Sequence, residues 1–236
     1  MLPRFKEGAV RVLIETLRLS KDGNSVDLGD IAQRARATES FVRGVAIDVI
    51  GDLNNGQISL RSELRIKLAL EIARAGLPRE AARVLTWQEF ERFAERCLEE
   101  TGFRTEKNVR VKGEGRNWQI DVVGFHNQLV LAIDCKHWNT PSNLARFKPM
   151  ADHQRSATLH LLATLRERAT GSDNDQQALP MILTLSEPPA QFAEGVVLVS
   201  VEKLPSFLSG VTPYDEGLPF ITSPASAVEN PMSQSN

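Results

Sequence analysis

The chain has 236 residues, of which 42% are apolar and 25% charged, with a formal net charge of −2. That profile describes an ordinary globular protein long enough for one large domain or two small ones. No apolar run approaches the roughly 18 residues that span a bilayer, and charges stand in the opening residues where a secretory signal would be apolar, so neither membrane insertion nor secretion is expected. Two cysteines, Cys97 and Cys135, make neither a disulfide framework nor a zinc site by themselves, and they fit a reducing, cytoplasmic setting. The net charge speaks against a nucleic-acid partner only until it is divided. Residues 1–80 hold 13 basic against 11 acidic side chains, residues 81–170 hold 14 against 11, and residues 171–236 hold 1 against 8. An acidic last quarter hides a mildly basic body.

In chain order, residues 3–19 place Phe5, Ala9, Val12, Leu13, Thr16 and Leu17 at helical spacing and predict an amphipathic helix. A polar turn follows, and a short helix is expected over residues 29–35 with Asp27 as its N-cap. The turn at residues 37–40 leads to a second helix over residues 41–53, with Val42, Val45, Val49 and Leu53 on one side, ended by Asn54-Asn55-Gly56. The alternating Gln57-Ile58-Ser59-Leu60 predicts a strand. Two short helices around a tight turn, then a strand, resemble the winged-helix domains of DNA-binding proteins. That resemblance implies that the helix beginning near Ser40 enters the major groove, with Arg36, Thr38, Ser40 and Arg43 contacting phosphates and bases. The same pattern also serves protein interaction or dimerisation, so that alternative stays open.

A further helix is expected over residues 62–75, and Gly76-Leu77-Pro78 marks a domain boundary near residue 80. Thr86-Trp87-Gln88-Glu89 has the form of a capping box opening a helix that runs to Thr101. Strands are expected at residues 107–111, 118–125 and 129–134, the last two joined by a hairpin at Asn127. A helix over residues 150–169, strands at 181–185 and 196–201, and a short helix at 202–208 complete the order. From residue 213 the Pro-, Ser- and Asn-rich composition predicts a disordered acidic tail. The fold class expected is α/β, a mixed central sheet flanked by helices, preceded by a small helical domain.

Chemistry concentrates on two strands. Asp121 lies in Trp118-Gln119-Ile120-Asp121-Val122-Val123, and Asp134 and Lys136 flank Cys135. Residues two apart in a strand share a face, so Asp134 and Lys136 point the same way and Cys135 points to the other, buried side. Carboxylates beside apolar runs cost several kcal/mol unless a metal or cation meets them. Two carboxylates and a lysine together suit metal-assisted phosphodiester hydrolysis; an Asp–Lys ion pair at a strand end is the plainer alternative. The four histidines show neither a zinc spacing nor a triad neighbour. His153 reads as a surface residue, and Trp118 and Trp138 as packing residues.

Phe90-Glu91, Thr101-Gly102-Phe103, Ile120-Asp121 and Ile133-Asp134-Cys135-Lys136, in that order, resemble the motifs of the PD-(D/E)XK nuclease superfamily, and most nearly its Mrr-like restriction endonuclease branch, over about residues 85–165. The resemblance implies a restriction-endonuclease-like domain over residues 81–212 that cleaves DNA in restriction, repair or recombination. It assigns the catalytic roles to Glu91, Asp121, Asp134 and Lys136, with Gln154 near the site. It implies Mg²⁺, with Mn²⁺ as a substitute, held by Asp121 and Asp134 and assisted by Glu91. Ile120 stands where the family's nominal proline does, and Asp134 where Glu or Gln is more frequent. Arg116, in a basic stretch ahead of the catalytic strands, is a candidate for the DNA backbone. A DNA-binding regulator that uses the nuclease-like fold as scaffold is the alternative function, and both a monomer and a homodimer remain open.

Overall fold

The computed structural model describes residues 7–21, 25–51, 57–138, 143–168 and 176–222. The N-terminal part consists of α1 (Glu7–Leu19), β1 (Ser25–Asp27), α2 (Leu28–Ala35), α3 (Glu39–Ile50), β2 (Gln57–Ser59) and α4 (Ser62–Arg74). Asp27 caps α2 by accepting from the Gly29 amide at 2.7 Å, as its position predicts. It also ends a strand that its sequence did not betray: β1 pairs antiparallel with β2, Val26 opposite Ile58, and three residues are too few for alternation to show. The helix expected to run to Leu53 ends earlier: Ile50 is the last residue of α3, and Gly51, at φ 95°, closes it by donating its N–H to Ile47 O at 3.0 Å, whereas Asn54-Asn55-Gly56 lies outside the described residues.

The expected break at Gly76-Leu77-Pro78 is a turn followed by one more helix, α5 (Pro78–Arg83), with proline at its first position, where its missing N–H costs nothing. α6 (Trp87–Glu100) then opens on the capping box: Thr86 Oγ1 accepts from the Glu89 amide at 3.2 Å, and Glu89 Oε2 accepts from the Thr86 amide at 2.9 Å. Packing does not pause at this turn. Val12, Leu13, Leu68 and Ile72 belong to the same apolar cluster as Phe90, Phe93, Ile133 and Leu183.

A buried arginine pins the junction. Arg65 of α4 is 2% exposed. Its Nε donates to Glu89 Oε1 at 2.7 Å, Nη1 to Leu17 O at 2.6 Å and Ser20 Oγ at 2.7 Å, and Nη2 to Val84 O at 3.1 Å and Glu89 Oε2 at 3.2 Å. One guanidinium thereby ties α1, α4, the α5–α6 turn and α6 together, and its charge is matched by a carboxylate already placed by the cap.

Among the described residues the sheet has six strands in the order β3 (Arg104–Gly113), β4 (Arg116–His126), β5 (Leu129–Lys136), β6 (Gln177–Thr184), β8 (Val196–Ser200) and β7 (Phe192–Ala193). β3, β4 and β5 form an antiparallel meander, and β5, β6 and β8 run parallel, so the fold is α/β with a mixed sheet. Glu114 and Gly115 close the first hairpin with φ of 51° and 74°, the positive values that a two-residue turn of this hand requires. The parallel step from β5 to β6 needs a crossover, supplied by α7 (Leu144–Arg168). α7 begins five residues ahead of Pro149, not after it: a proline removes one helical hydrogen bond, and Phe147, 1% exposed against Ala151 and Ile182, holds the first turns to the sheet.

α7 covers one face of the sheet through Ala157, Leu161 and Leu162, and α6 covers the other. The final helix, α8 (Leu204–Gly210), adds Leu204 and Leu208 to the α6 side. The disordered tail expected from residue 213 needs correction over its first part. Ile221 exchanges two backbone hydrogen bonds with Ala178, at 3.0 and 2.8 Å, while Leu218 and Phe220 pack on the core. Three apolar residues in a polar stretch suffice to hold it. Residues 223–236 lie outside the described residues.

Candidate active site

Asp121 sits where β4 changes phase. Trp118 and Ile120 lie in the cluster beneath α7 and so does Val123, whereas Val122 faces the α6 side; strict alternation would not put positions 118, 120 and 123 together. The neighbouring strand bends at the same level, with Asn108 at φ 51° between the pairs Lys107↔Val122 and Val109↔Ile120. Backbone irregularity of this kind re-aims a side chain.

On β5, Cys135 packs against the α6-side core, which turns Asp134 and Lys136 to the other face as alternation predicts. The Lys136 ammonium lies 2.8 Å from the Asp134 carboxylate. The Cys135 amide donates to Asp121 Oδ2 at 2.8 Å, and the antiparallel register that pairs Val122 with Ile133 sets Asp121 beside Asp134. Burial, followed by the adjacent Asp134, pushes the Asp121 carboxyl up against the opposing pull of that amide and of Lys136. Burial likewise pushes the Cys135 thiol well up, leaving it a packing residue.

Glu91 projects from α6. Burial first, then the charges of Asp121 and Asp134, raise its pKa to about 7, with Lys107 and Lys136 opposing. Lys107 is itself held by Glu95, one helical turn further along α6, at 3.0 Å. Three acids from three elements therefore share one electrostatic environment, with Lys136 as the cation in contact. Glu89, the other acid at the start of α6, is committed to the cap and to Arg65.

Gln154 of α7 is 1% exposed. Its amide nitrogen donates to Ala132 O at 2.7 Å, two residues before Asp134, and its Oε1 has no protein partner. Beside it, His153 rests on the Trp118 ring with centroids 5.0 Å apart; burial lowers its pKa, while Asp134 raises it. The Arg116 guanidinium covers Trp118 at 3.4 Å, so the backbone-contact candidate stands at this same edge. Trp118 is a core residue, 2% exposed, and Trp138 packs against Phe147. The N-terminal candidates form a second surface at the α2–α3 corner. Thr38 caps α3, accepting from the Phe41 amide at 3.3 Å; Arg36, Ser40 and Arg43 are exposed.

Among the described residues no three His, Cys, Asp or Glu side chains converge as a group that could hold a metal. Two adjacent carboxylates with one lysine do fit a hard cation of the Mg²⁺ type, which takes one or two carboxylates and completes its shell with water and substrate oxygen. Sequence reasoning missed the Cys135 amide on Asp121, the Glu95–Lys107 bridge and the role of Arg65; the one available signal was an arginine inside the apolar stripe of α4.

A relative in Archaeoglobus fulgidus, an uncharacterized protein, is 28% identical over 128 residues, which cover 54% of this chain and 92% of that one. A crystal structure described as protein of unknown function AF1548 is 24% identical with a TM-score of 0.34, over 49% of this chain and 58% of that one. Protein VC1899 from Vibrio cholerae is 13% identical with a TM-score of 0.38, over 86% and 49%. The chain thus spans about half the length of these two solved proteins. The restriction endonuclease model Mrr_cat matches residues 82–204, from the end of α5 to the start of α8. With 123 of its 236 residues inside that match, the chain belongs to the Mrr_cat restriction endonuclease family.

Proposed function

We propose that the chain is a metal-dependent DNA endonuclease whose hydrolytic centre is formed by Glu91, Asp121, Asp134 and Lys136. One observation carries the reading: two carboxylates on adjacent strands, Asp121 held by the Cys135 amide at 2.8 Å and Asp134 by the Lys136 ammonium at 2.8 Å. Like charges so placed repel unless a cation joins them. A divalent ion held by Asp121 and Asp134 would supply Lewis-acid polarisation of the phosphate and a more acidic bound water. The chain's own groups do the rest. The Cys135 amide fixes Asp121 through Oδ2. Lys136 Nζ, oriented by Asp134, offsets the negative charge that grows on the phosphate oxygens. Glu91, with its pKa near 7, is matched to moving a proton at neutral pH. Gln154 braces β5 at Ala132, two residues from Asp134.

The exposed Arg36, Ser40 and Arg43 of the α2–α3 corner support reading residues 1–80 as a DNA-binding module with a winged-helix-like order, acting beside the nuclease domain in a cytoplasmic protein. The test is Mg²⁺-dependent nicking of supercoiled plasmid by the wild type and by Asp134→Asn, with EDTA as control. Loss in the variant is expected; equal cleavage by both, or none by the wild type, refutes the centre. For the module, Arg36→Ala with Arg43→Ala should weaken DNA binding and flatten its salt dependence.

A further inference from the structure

Trp87, the first residue of α6, leaves 60% of its surface in solvent, and among the described large hydrophobics only Tyr214 is more exposed. Neither the capping box nor the core uses its ring. Four residues on, Glu91 shares its helix face, and Glu95 extends the same stripe to Lys107 of β3. The opposite flank of α6 is turned to α4, through Glu89 to Arg65 and Arg92 to Glu63. Trp87 therefore stands one helical turn outside Glu91, on the side that looks at β3 rather than α4. Further along β3 from Lys107, Arg110 and Lys112 are exposed, on the face away from the buried Val111. One rim of the site is aromatic and uncharged, the other cationic.

We propose that Trp87 is a stacking platform for an unpaired base next to the scissile phosphate, and that the substrate class is DNA with unpaired nucleotides at the cut, such as a flap or single-stranded branch. This rests on Glu91, Asp121 and Asp134 being the hydrolytic centre, as proposed above. Arg110 and Lys112 follow the backbone by charge, which suits any sequence. An indole accepts the face of any base, but a base inside a continuous duplex has both faces covered and must first be unstacked. An unpaired base offers its face at once, so the platform discriminates by strand state and not by sequence.

The test compares affinities for a labelled duplex and for the same duplex carrying an unpaired flap, with Ca²⁺ in place of Mg²⁺, for the full chain and for Trp87→Ala and Trp87→Phe. Base stacking on an aromatic residue is worth on the order of 10- to 100-fold. The wild type should therefore prefer the flap by about that factor. Trp87→Ala should lose the preference with less than about a twofold change on duplex, and Trp87→Phe should keep most of it. Absence of the preference in the wild type, absence of DNA binding, or a Trp87→Ala loss that is equal on both substrates or nil overturns the proposal. A Trp87-dependent preference without Mg²⁺-dependent cleavage of any substrate leaves the platform standing and refutes the hydrolytic centre instead.

Discussion

Replacing Arg65 by methionine removes five hydrogen bonds made by a side chain 2% exposed. The Leu17 and Val84 carbonyls lose their buried cation, and the Glu89 carboxylate keeps only its cap to the Thr86 amide. Breaking a buried ion pair from one side costs about 3–5 kcal/mol, because the remaining charge stays out of water unpaired. For a chain of this size each kcal/mol shifts Tm by roughly 2–4 °C, so a fall of about 6–20 °C is expected. Urea denaturation followed by circular dichroism and by tryptophan fluorescence measures it. Both signals should move together, since the arginine lies at the junction and the apolar cluster spans it. Adding Glu89→Gln, which retains an acceptor for the cap but removes the stranded charge, should recover about 1–2 kcal/mol. A cost below about 1 kcal/mol for Arg65→Met, or no coupling between the two substitutions, would refute this account of the junction.

The acid cluster makes a pH prediction. Because the folded state raises Glu91 from 4.5 to about 7, its contribution is complete below about pH 4.5 and is lost as pH rises through 7. In metal-free buffer Glu91→Gln should stabilise the protein by about 1 kcal/mol at pH 8, after allowing for solvent screening of a half-exposed group, and not at pH 4.5; a pH-independent difference in thermal melts counts against it. Lys136→Met should lower the cleavage rate by about 10²–10³-fold with DNA affinity little changed, if Lys136 meets charge only as it develops; an effect confined to affinity argues otherwise. Asp134→Asn should raise the metal-free melting temperature while abolishing cleavage, because repulsion with Asp121 is relieved. Gly124→Ala should cost about 1–3 kcal/mol in urea titrations, since its Cβ would stand 2.3 Å from Leu98 Cδ2 and 3.2 Å from Phe103 Cδ1.

Local patterns were legible. The capping box at Thr86 and Glu89 is a three-residue relation, the common face of Asp134 and Lys136 follows from strand alternation, and the order of elements around them reads from periodicity. What escaped depends on residues far apart in the chain. Arg65 meets Glu89 across 24 positions, and a charge in an apolar helix does not announce its partner. The direction of Asp121 depends on a phase change shared with Asn108 of the next strand, whereas alternation along β4 alone predicts regularity. α5 was hidden by the glycine and proline that flank its start, and the Ile221 bridge by the polar residues around it. Glu91 was named by resemblance; its environment became physical only when α6 was laid beside β4 and β5.

Arg65 also turns the chain into a ruler. Its guanidinium grips α1, α4 and α6 at once, so α1, against which α2 and α3 pack, cannot part from α6 without stranding a charge. If the α2–α3 corner seats DNA as proposed, a duplex there would meet the acids at one arc length from its point of grip, and fragment ends would fall at a constant offset instead of the scatter a flexible tether produces. The spacing of cuts would then be set by an ion pair that never touches the DNA.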